Sequence, residues 1–203
     1  MNQLEKRIID ISYKYGLSHI SSCLTAVNII DRIYSVKKAD EPFVLSSAHA
    51  SVALYVVLEK WHFKDAEELW KKHGTHCNRD VQDGIWASGG SLGHGIGIAV
   101  GLALADRERN VYVLMSDSEC SEGSVWEALR IAGEQRLENL RISVNANGWG
   151  AYSKIETEML DTRLQMFYPT LVEKTNLYNF PAYLNGQGGH YHILTKEQYE
   201  EIK

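Results

Sequence analysis

A chain of 203 residues, 44% hydrophobic and 23% charged, has the make-up of one globular domain with a sizeable core. A net charge of −5 with no compensating basic block argues against a nucleic-acid-binding surface. The opening Met1-Asn2-Gln3-Leu4-Glu5-Lys6-Arg7 lacks an apolar signal core, and the most apolar run, residues 96–105, is about half the length needed to cross a bilayer, so a cytoplasmic protein without a membrane segment is expected.

Residues 4–15 read as an amphipathic helix, with Leu4, Ile8, Ile9 and Ile11 on or near one face and Gly16 as its stop. A polar loop, residues 17–22, carries His19 into a second helix containing Ala26, Val27, Ile29, Ile30 and Ile33. A lone loop histidine ordinarily faces solvent or caps a helix. Phe43-Val44-Leu45-Ser46 is a short apolar strand. Ser47 is placed to cap the helix that runs on to Leu58, whose first amides suit an anion, and His49 lies at this junction. Residues 65–72 form a short helix whose acidic start and basic end match the macrodipole. The loop Gly74-Thr75-His76-Cys77-Asn78 follows.

Gly89-Gly90-Ser91-Leu92-Gly93-His94-Gly95 is the most glycine-dense stretch. No frame in it gives GxGxxG and no good strand precedes it, which excludes a dinucleotide fingerprint. Gly89-x-Ser91-x-Gly93 does fit a nucleophile elbow, with Asp117 and His190 downstream in hydrolase order. An elbow needs a firm strand before its serine, and residues 83–88 supply little of one. No glycine-rich oxyanion segment following a histidine occurs earlier. The remaining reading is a cofactor pocket lined by Gly90 and Leu92, with a helix opening near Gly93. Residues 96–105 are apolar nearly all round, so that helix must be buried, in part against a partner.

Val111-Tyr112-Val113-Leu114-Met115 is a buried strand that stops at Ser116-Asp117-Ser118-Glu119. A helix with Val125, Leu129 and Ile131 closes near Gly133, and a second strand, residues 140–144, delivers Asn145-Ala146-Asn147-Gly148. Asp117 and Asn147 stand about one βαβ unit apart, so each belongs at the ligand-binding edge of a parallel sheet, beside the other. One carboxylate and one amide oxygen suit magnesium, which takes its other ligands from phosphates and water. The competing reading makes Asp117 a helix cap and Asn147-Gly148 an ordinary turn. Beyond these, residues 159–167 read as a helix, 170–175 as a last strand and 199–203 as a helix. Gly188-Gly189-His190-Tyr191-His192 reads as a glycine-freed loop, or as a metal-binding pair if a strand set both histidines on one face. Cys23, Cys77 and Cys120 have no CxxC spacing and read as reduced thiols.

The run Ser116-Asp117-Ser118-Glu119-Cys120-Ser121-Glu122-Gly123-Ser124-Val125-Trp126-Glu127-Ala128, thirty positions before Asn147 when counted from Asp117, resembles the thiamine diphosphate motif of transketolases. That motif begins Gly-Asp-Gly and ends at a magnesium-binding asparagine. The resemblance implies Asp117, Asn147 and the main-chain oxygen of Trp149 as ligands of magnesium (or calcium or manganese in its place), with Ser118 against the diphosphate. Serines stand where the family has both glycines. Four further segments resemble the family in the same order: the loop around His19, the run from Phe43 through His49 to Tyr55, the loop around His76, and Gly90-Ser91-Leu92-Gly93 with its apolar helix. His190 matches a late histidine near the diphosphate or substrate. The resemblance therefore implies cofactor contacts from His49, Gly90, Leu92 and His190, and substrate-facing roles for His19, His49, His76 and His190.

The implied fold is an α/β three-layer sandwich with a mostly parallel sheet, the diphosphate-binding (PP-type) domain of thiamine diphosphate enzymes, over residues 1–203. A complete transketolase is about three times longer. The pyrimidine-binding domain, whose glutamate hydrogen-bonds the aminopyrimidine ring, has no counterpart in this chain. The expectation is a split enzyme, α2β2, in which a separate C-terminal subunit supplies that domain and a two-carbon ketol unit passes from a ketose donor, a sugar or sugar phosphate, to an aldose acceptor. The alternatives are the α-type subunit of a 2-oxo acid dehydrogenase, a scaffold subunit without cofactor, and a Ser91 hydrolase.

Overall fold

The computed structural model describes residues 1–62, 64–150 and 153–203. It opens with two helices, α1 (Gln3–Tyr15) and α2 (Ile20–Val36). Asn2 starts α1 through a reciprocal capping box with Glu5, and Gly16, at φ +60°, ends it in the left-handed conformation. Then come β1 (Phe43–Leu45), α3 (Ser51–His62), α4 (Ala66–His73) and α5 (His94–Ala105). The chain continues through β2 (Val111–Ser116), α6 (Gly123–Glu134), β3 (Leu140–Ala146), α7 (Thr157–Phe167) and β4 (Leu171–Lys174). Two short helices follow, α8 (Gly186–His190) and α9 (Lys196–Ile202).

The four strands form one parallel sheet in the order β1-β2-β3-β4. Strand alternation divides the core into two. Val111, Val113 and Met115 of β2 join Leu140, Ile142 and Val144 of β3 under α5, α6 and α7. Phe43, Leu45 and Leu114 point to the opposite face, where α1, α2 and α3 cover them. This is the expected three-layer α/β sandwich, buried on both sides as parallel sheets are. The matched register, with Ser116 beside Asn145, brings the C-terminal ends of β2 and β3 level. Whatever follows each strand therefore meets at one edge.

Two expectations are corrected. Ser47 makes no capping hydrogen bond; a single 3-10 turn, Ala48–Ala50, leads into α3 instead, and Ser51 closes it by donating to the Ala48 carbonyl. His190 lies in α8, not in a loop. The sequence there, Gly-Gln-Gly-Gly-His, has poor helix propensity, and docking holds it: the Ser21 hydroxyl reaches the carbonyls of Leu184 and Gly189 at 2.7 and 2.9 Å. His192 turns away to Gln198, 2.8 Å from its side-chain oxygen, so the two histidines form no metal pair. Cys23, Cys77 and Cys120 are free and buried. Among the described residues no helix is long and apolar enough to cross a membrane.

Candidate functional site

The tips of β2 and β3 meet as the spacing of Asp117 and Asn147 requires. Asp117 Oδ2 accepts from the Gly148 amide at 2.7 Å, and Oδ1 accepts from the Ser118 amide at 3.0 Å. Asn147 Oδ1 accepts from the Trp149 amide at 2.9 Å. The turn and the expected ligand are thus the same residue. Asp117 is only 1% exposed, with no cationic side chain bonded to it among the described residues, and burial pushes its carboxyl up to about 6 against the pull of the Gly148 and Ser118 amides. A buried carboxylate in this state lacks a counter-charge. The Trp149 carbonyl accepts no hydrogen bond among the described residues. The bridge pairing Trp149 with Lys154 is closed by the flanking residues, Gly150 to Ser153 and Ile155 to Gly148.

The two serines at the family's glycine positions bond to each other, Ser116 Oγ to Ser118 Oγ at 2.8 Å. The Ser118 side chain is thereby held back along the strand end.

Four histidines predicted from four separate segments come together. The His19 ring centroid lies 4.4 Å from that of His190, 5.5 Å from His49 and 6.5 Å from His76, and His49 lies 5.5 Å from His190. His19 adopts a left-handed backbone, φ +62°, and donates its amide to the His190 carbonyl at 2.9 Å. Its Nδ1 is buried without a partner among the described residues, an orphan in a group built to bond. His190 Nδ1 sits 3.3 Å from the Ser22 hydroxyl. A cavity of about 100 Å³ joins the two halves of the site, with Asn147 and Trp149 on one wall and Ser22, Thr25 and His190 on another.

Burial holds three of these rings neutral. It lowers His49 to about 3 and His19 to about 4, the neighbouring imidazoles adding to it, and it lowers His190 as well. For a histidine the sign follows directly. The neutral ring stabilises the fold fully above its unfolded value of 6.5, and that stability is lost as pH falls through the window from 6.5 toward about 3. Between pH 7.5 and 5.0, His49 alone should cost on the order of 2 kcal/mol. Urea unfolding of the wild type and His49→Gln at both pH values checks this: the variant should lose less stability on acidification by about that amount.

The glycine stretch serves close packing as well as a cofactor wall. A Cβ on Gly95 would fall 2.6 Å from the Ser46 Cα, and one on Gly89 would fall 1.8 Å from the Ala48 Cβ. Gly90, at φ +126°, faces His76, and Leu92 is half-buried. The nucleophile elbow is not formed. Among the described residues no strand lies between β1 and β2 to precede Ser91, Ser91 is exposed, and Asp117 bonds backbone amides instead of a histidine.

One buried residue at the site was missed in the sequence, where the Ser116-x-x-Glu119 spacing signals no more than a capping box. Glu119, 0% exposed, accepts from the Ser46 hydroxyl at 2.6 Å, the Gly93 amide at 2.9 Å and the Ser116 amide at 2.9 Å. In the sequence it is one acid in a polar run, and only the topology reveals that three segments converge on it.

Comparison with known proteins shows the family and the fold. The family model "Transketolase, thiamine diphosphate binding domain" matches residues 34–169. An apulose-4-phosphate transketolase subunit of Phocaeicola vulgatus is 32% identical over 162 residues, covering 70% of this chain and 57% of its own. A 6-deoxy-6-sulfo-D-fructose transketolase subunit from a Clostridium species is 31% identical over 159 residues, covering 68% and 58%. Human transketolase is 31% identical over 169 residues, covering 73% and 27%. The chain thus spans a little over half the length of the two subunit relatives and about a quarter of the human enzyme. The fold of a transketolase from Pichia stipitis matches with a TM-score of 0.80 over 98% of this chain and 39% of that one, at 21% identity.

Proposed function

Because this chain belongs to the transketolase family through its thiamine diphosphate-binding domain, we propose that it is the diphosphate- and metal-binding subunit of a split, cytoplasmic transketolase. The observation that carries the proposal is the meeting of Asp117 with the Asn147 turn beside a cluster of four histidines. The donor set fits the cofactor. A buried carboxylate without a counter-charge among the described residues, an amide side chain and a main-chain carbonyl are hard oxygen ligands for magnesium (or calcium or manganese). Asp117, Asn147 and Trp149 would hold the ion, and Ser118 would lie against the diphosphate.

When bound, thiamine diphosphate supplies the carbon–carbon bond chemistry. The chain's own residues bind, orient and move protons. His19, His49, His76 and His190 are arranged to hydrogen-bond the hydroxyls of a ketose or its phosphate. A neutral imidazole offers one donor and one acceptor, which suits general acid–base work. His76 is exposed, on the solvent side of the cluster, in keeping with a place toward the incoming sugar. The reaction proposed is transfer of a two-carbon ketol unit from a ketose to an aldose.

Two features favour a partner. No carboxylate among the described residues lines the cavity beside His190, and in the proposed assembly a separate pyrimidine-binding subunit supplies the glutamate that engages the aminopyrimidine ring. Gly97 and Gly101 of α5 face open space, and Leu104 beside them is 39% exposed; such a face invites close packing of another chain, as in an α2β2 assembly. Calorimetry with thiamine diphosphate and magnesium, with and without a pyrimidine-binding subunit, tests the reading. Heat of binding in the complex is expected. No heat in either sample would instead leave a scaffold subunit that binds its partner and no cofactor.

A further inference from the structure

We propose that Glu119 is a positioning residue that fixes the three cofactor-bearing segments against one another; the inference rests on the cofactor reading above. Its carboxylate bonds three segments: the end of β1, already paired with β2, the tip of β2, and the start of α5, which no strand pairing ties to either. Ser46 follows β1 three residues before His49, Gly93 opens α5 just after Gly90 and Leu92, and Ser116 immediately precedes Asp117. The bonds, at 2.6, 2.9 and 2.9 Å, are all buried. Charge-assisted bonds to three donors in a dry site are strong and directional.

Gly93 is held from both sides. Its amide goes to Glu119, and its carbonyl accepts from the Ser124 hydroxyl at 3.1 Å. At φ +72°, with a Cβ that would fall 2.6 Å from Ser124 Oγ and 2.9 Å from Glu122 Cβ, this position has room only for glycine. The start of α5 is therefore set by backbone bonds, and Glu119 is the link between those bonds and the strand tip that carries Asp117. Glutamine cannot replace it. Gly93 and Ser116 present N–H groups that only donate, one to each carboxylate oxygen, so the amide NH₂ of a glutamine must face one of them.

The test uses the complex with the pyrimidine-binding subunit, and thiamine diphosphate with magnesium as the probe. Glu119→Gln should raise the cofactor Kd roughly tenfold, the loss of about one charged hydrogen bond. It should leave kcat at saturating cofactor within about twofold, because no reacting group is touched. In the chain without cofactor, amide hydrogen exchange at Gly93 and Ser116 should become roughly tenfold faster. An unchanged Kd with unchanged exchange would overturn the proposal, as would a loss of kcat with Kd unaltered. If Glu119→Gln does not fold, Ser46→Ala removes one of the three donors without disturbing a backbone amide. A rise in Kd of roughly threefold is then expected, and no change would count against the role. Absence of binding by the wild-type complex sinks the cofactor reading itself, a result separable from a variant that binds as wild type does.

Discussion

Asp117→Asn should weaken magnesium-dependent binding of thiamine diphosphate by at least about 100-fold while leaving the stability of the cofactor-free chain within about 1 kcal/mol of wild type. The two halves of this expectation come from the same atoms. Asp117 is 1% exposed and its carboxyl is pushed up to about 6 from an ordinary 3.8. An acid shifted in that direction destabilises the fold at neutral pH, here by on the order of 3 kcal/mol. Stability from this group is regained as pH falls from about 6 toward 3.8.

Asparagine abolishes that cost but turns an NH₂ toward the Ser118 or Gly148 amide, a loss of about 1–3 kcal/mol. The two effects nearly cancel in the empty chain and leave the full loss of a charged ligand to appear in the holo form. Titration with cofactor at fixed magnesium and urea unfolding of the empty chain measure each half. A variant that binds cofactor normally yet is several kcal/mol less stable would mean that Asp117 is structural.

Gly89→Ala is expected to be the most damaging single methyl group in the glycine stretch, at about 3 kcal/mol or more, the upper end of overpacking costs. Its Cβ would lie 1.8 Å from the Cβ of Ala48 and 3.3 Å from the Cα, so no side-chain rotation relieves the clash. Withdrawal of the loop is opposed by the bond from the Gly89 amide to the Cys77 carbonyl at 2.9 Å. Because the collision is between two methyl carbons, moving the methyl across the gap should cure it. The double variant Gly89→Ala with Ala48→Gly should recover most of the loss, leaving about 1 kcal/mol for the glycine placed in the 3-10 turn. Thermal unfolding of both, with Gly101→Ala as a control at a position open to solvent, decides the matter. A Gly89→Ala protein with wild-type Tm is incompatible with the packing described.

Much of this was legible in the residues, and the gaps have physical reasons. The strands β2 and β3 announce themselves as apolar runs cut off by acids and amides, and a parallel sheet then obliges Asp117 and Asn147 to share an edge. The helix ends were readable where local chemistry sets them: Asp65 caps α4 by accepting from the Glu68 amide at 2.9 Å, and Gly16 stops α1. What stayed hidden depends on distant partners. Locally Glu119 shows only as the capping-box partner of Ser116, and its other donors come from the distant Ser46 and Gly93. The glycine density was visible, but the reason for it lies in Ser46 and Ala48 on another segment. The helical turn at His190 owes its shape to Ser21 and not to its own composition. His19, His49, His76 and His190 were all placed in the site by resemblance alone, because periodicity says nothing about a histidine between elements.

The latch between Ser21 and the Leu184 and Gly189 carbonyls spans 163 and 168 positions, and the left-handed turn at His19 leans on it through the His190 carbonyl. A ribosome therefore exposes the first of the four imidazoles long before the piece of chain that locks it. Until that piece is made, the His19 amide and the Ser21 hydroxyl have no Leu184, Gly189 or His190 carbonyl to bond. The pocket is a late event in the life of each molecule, closed only when the fourth imidazole has emerged and folded back onto the first.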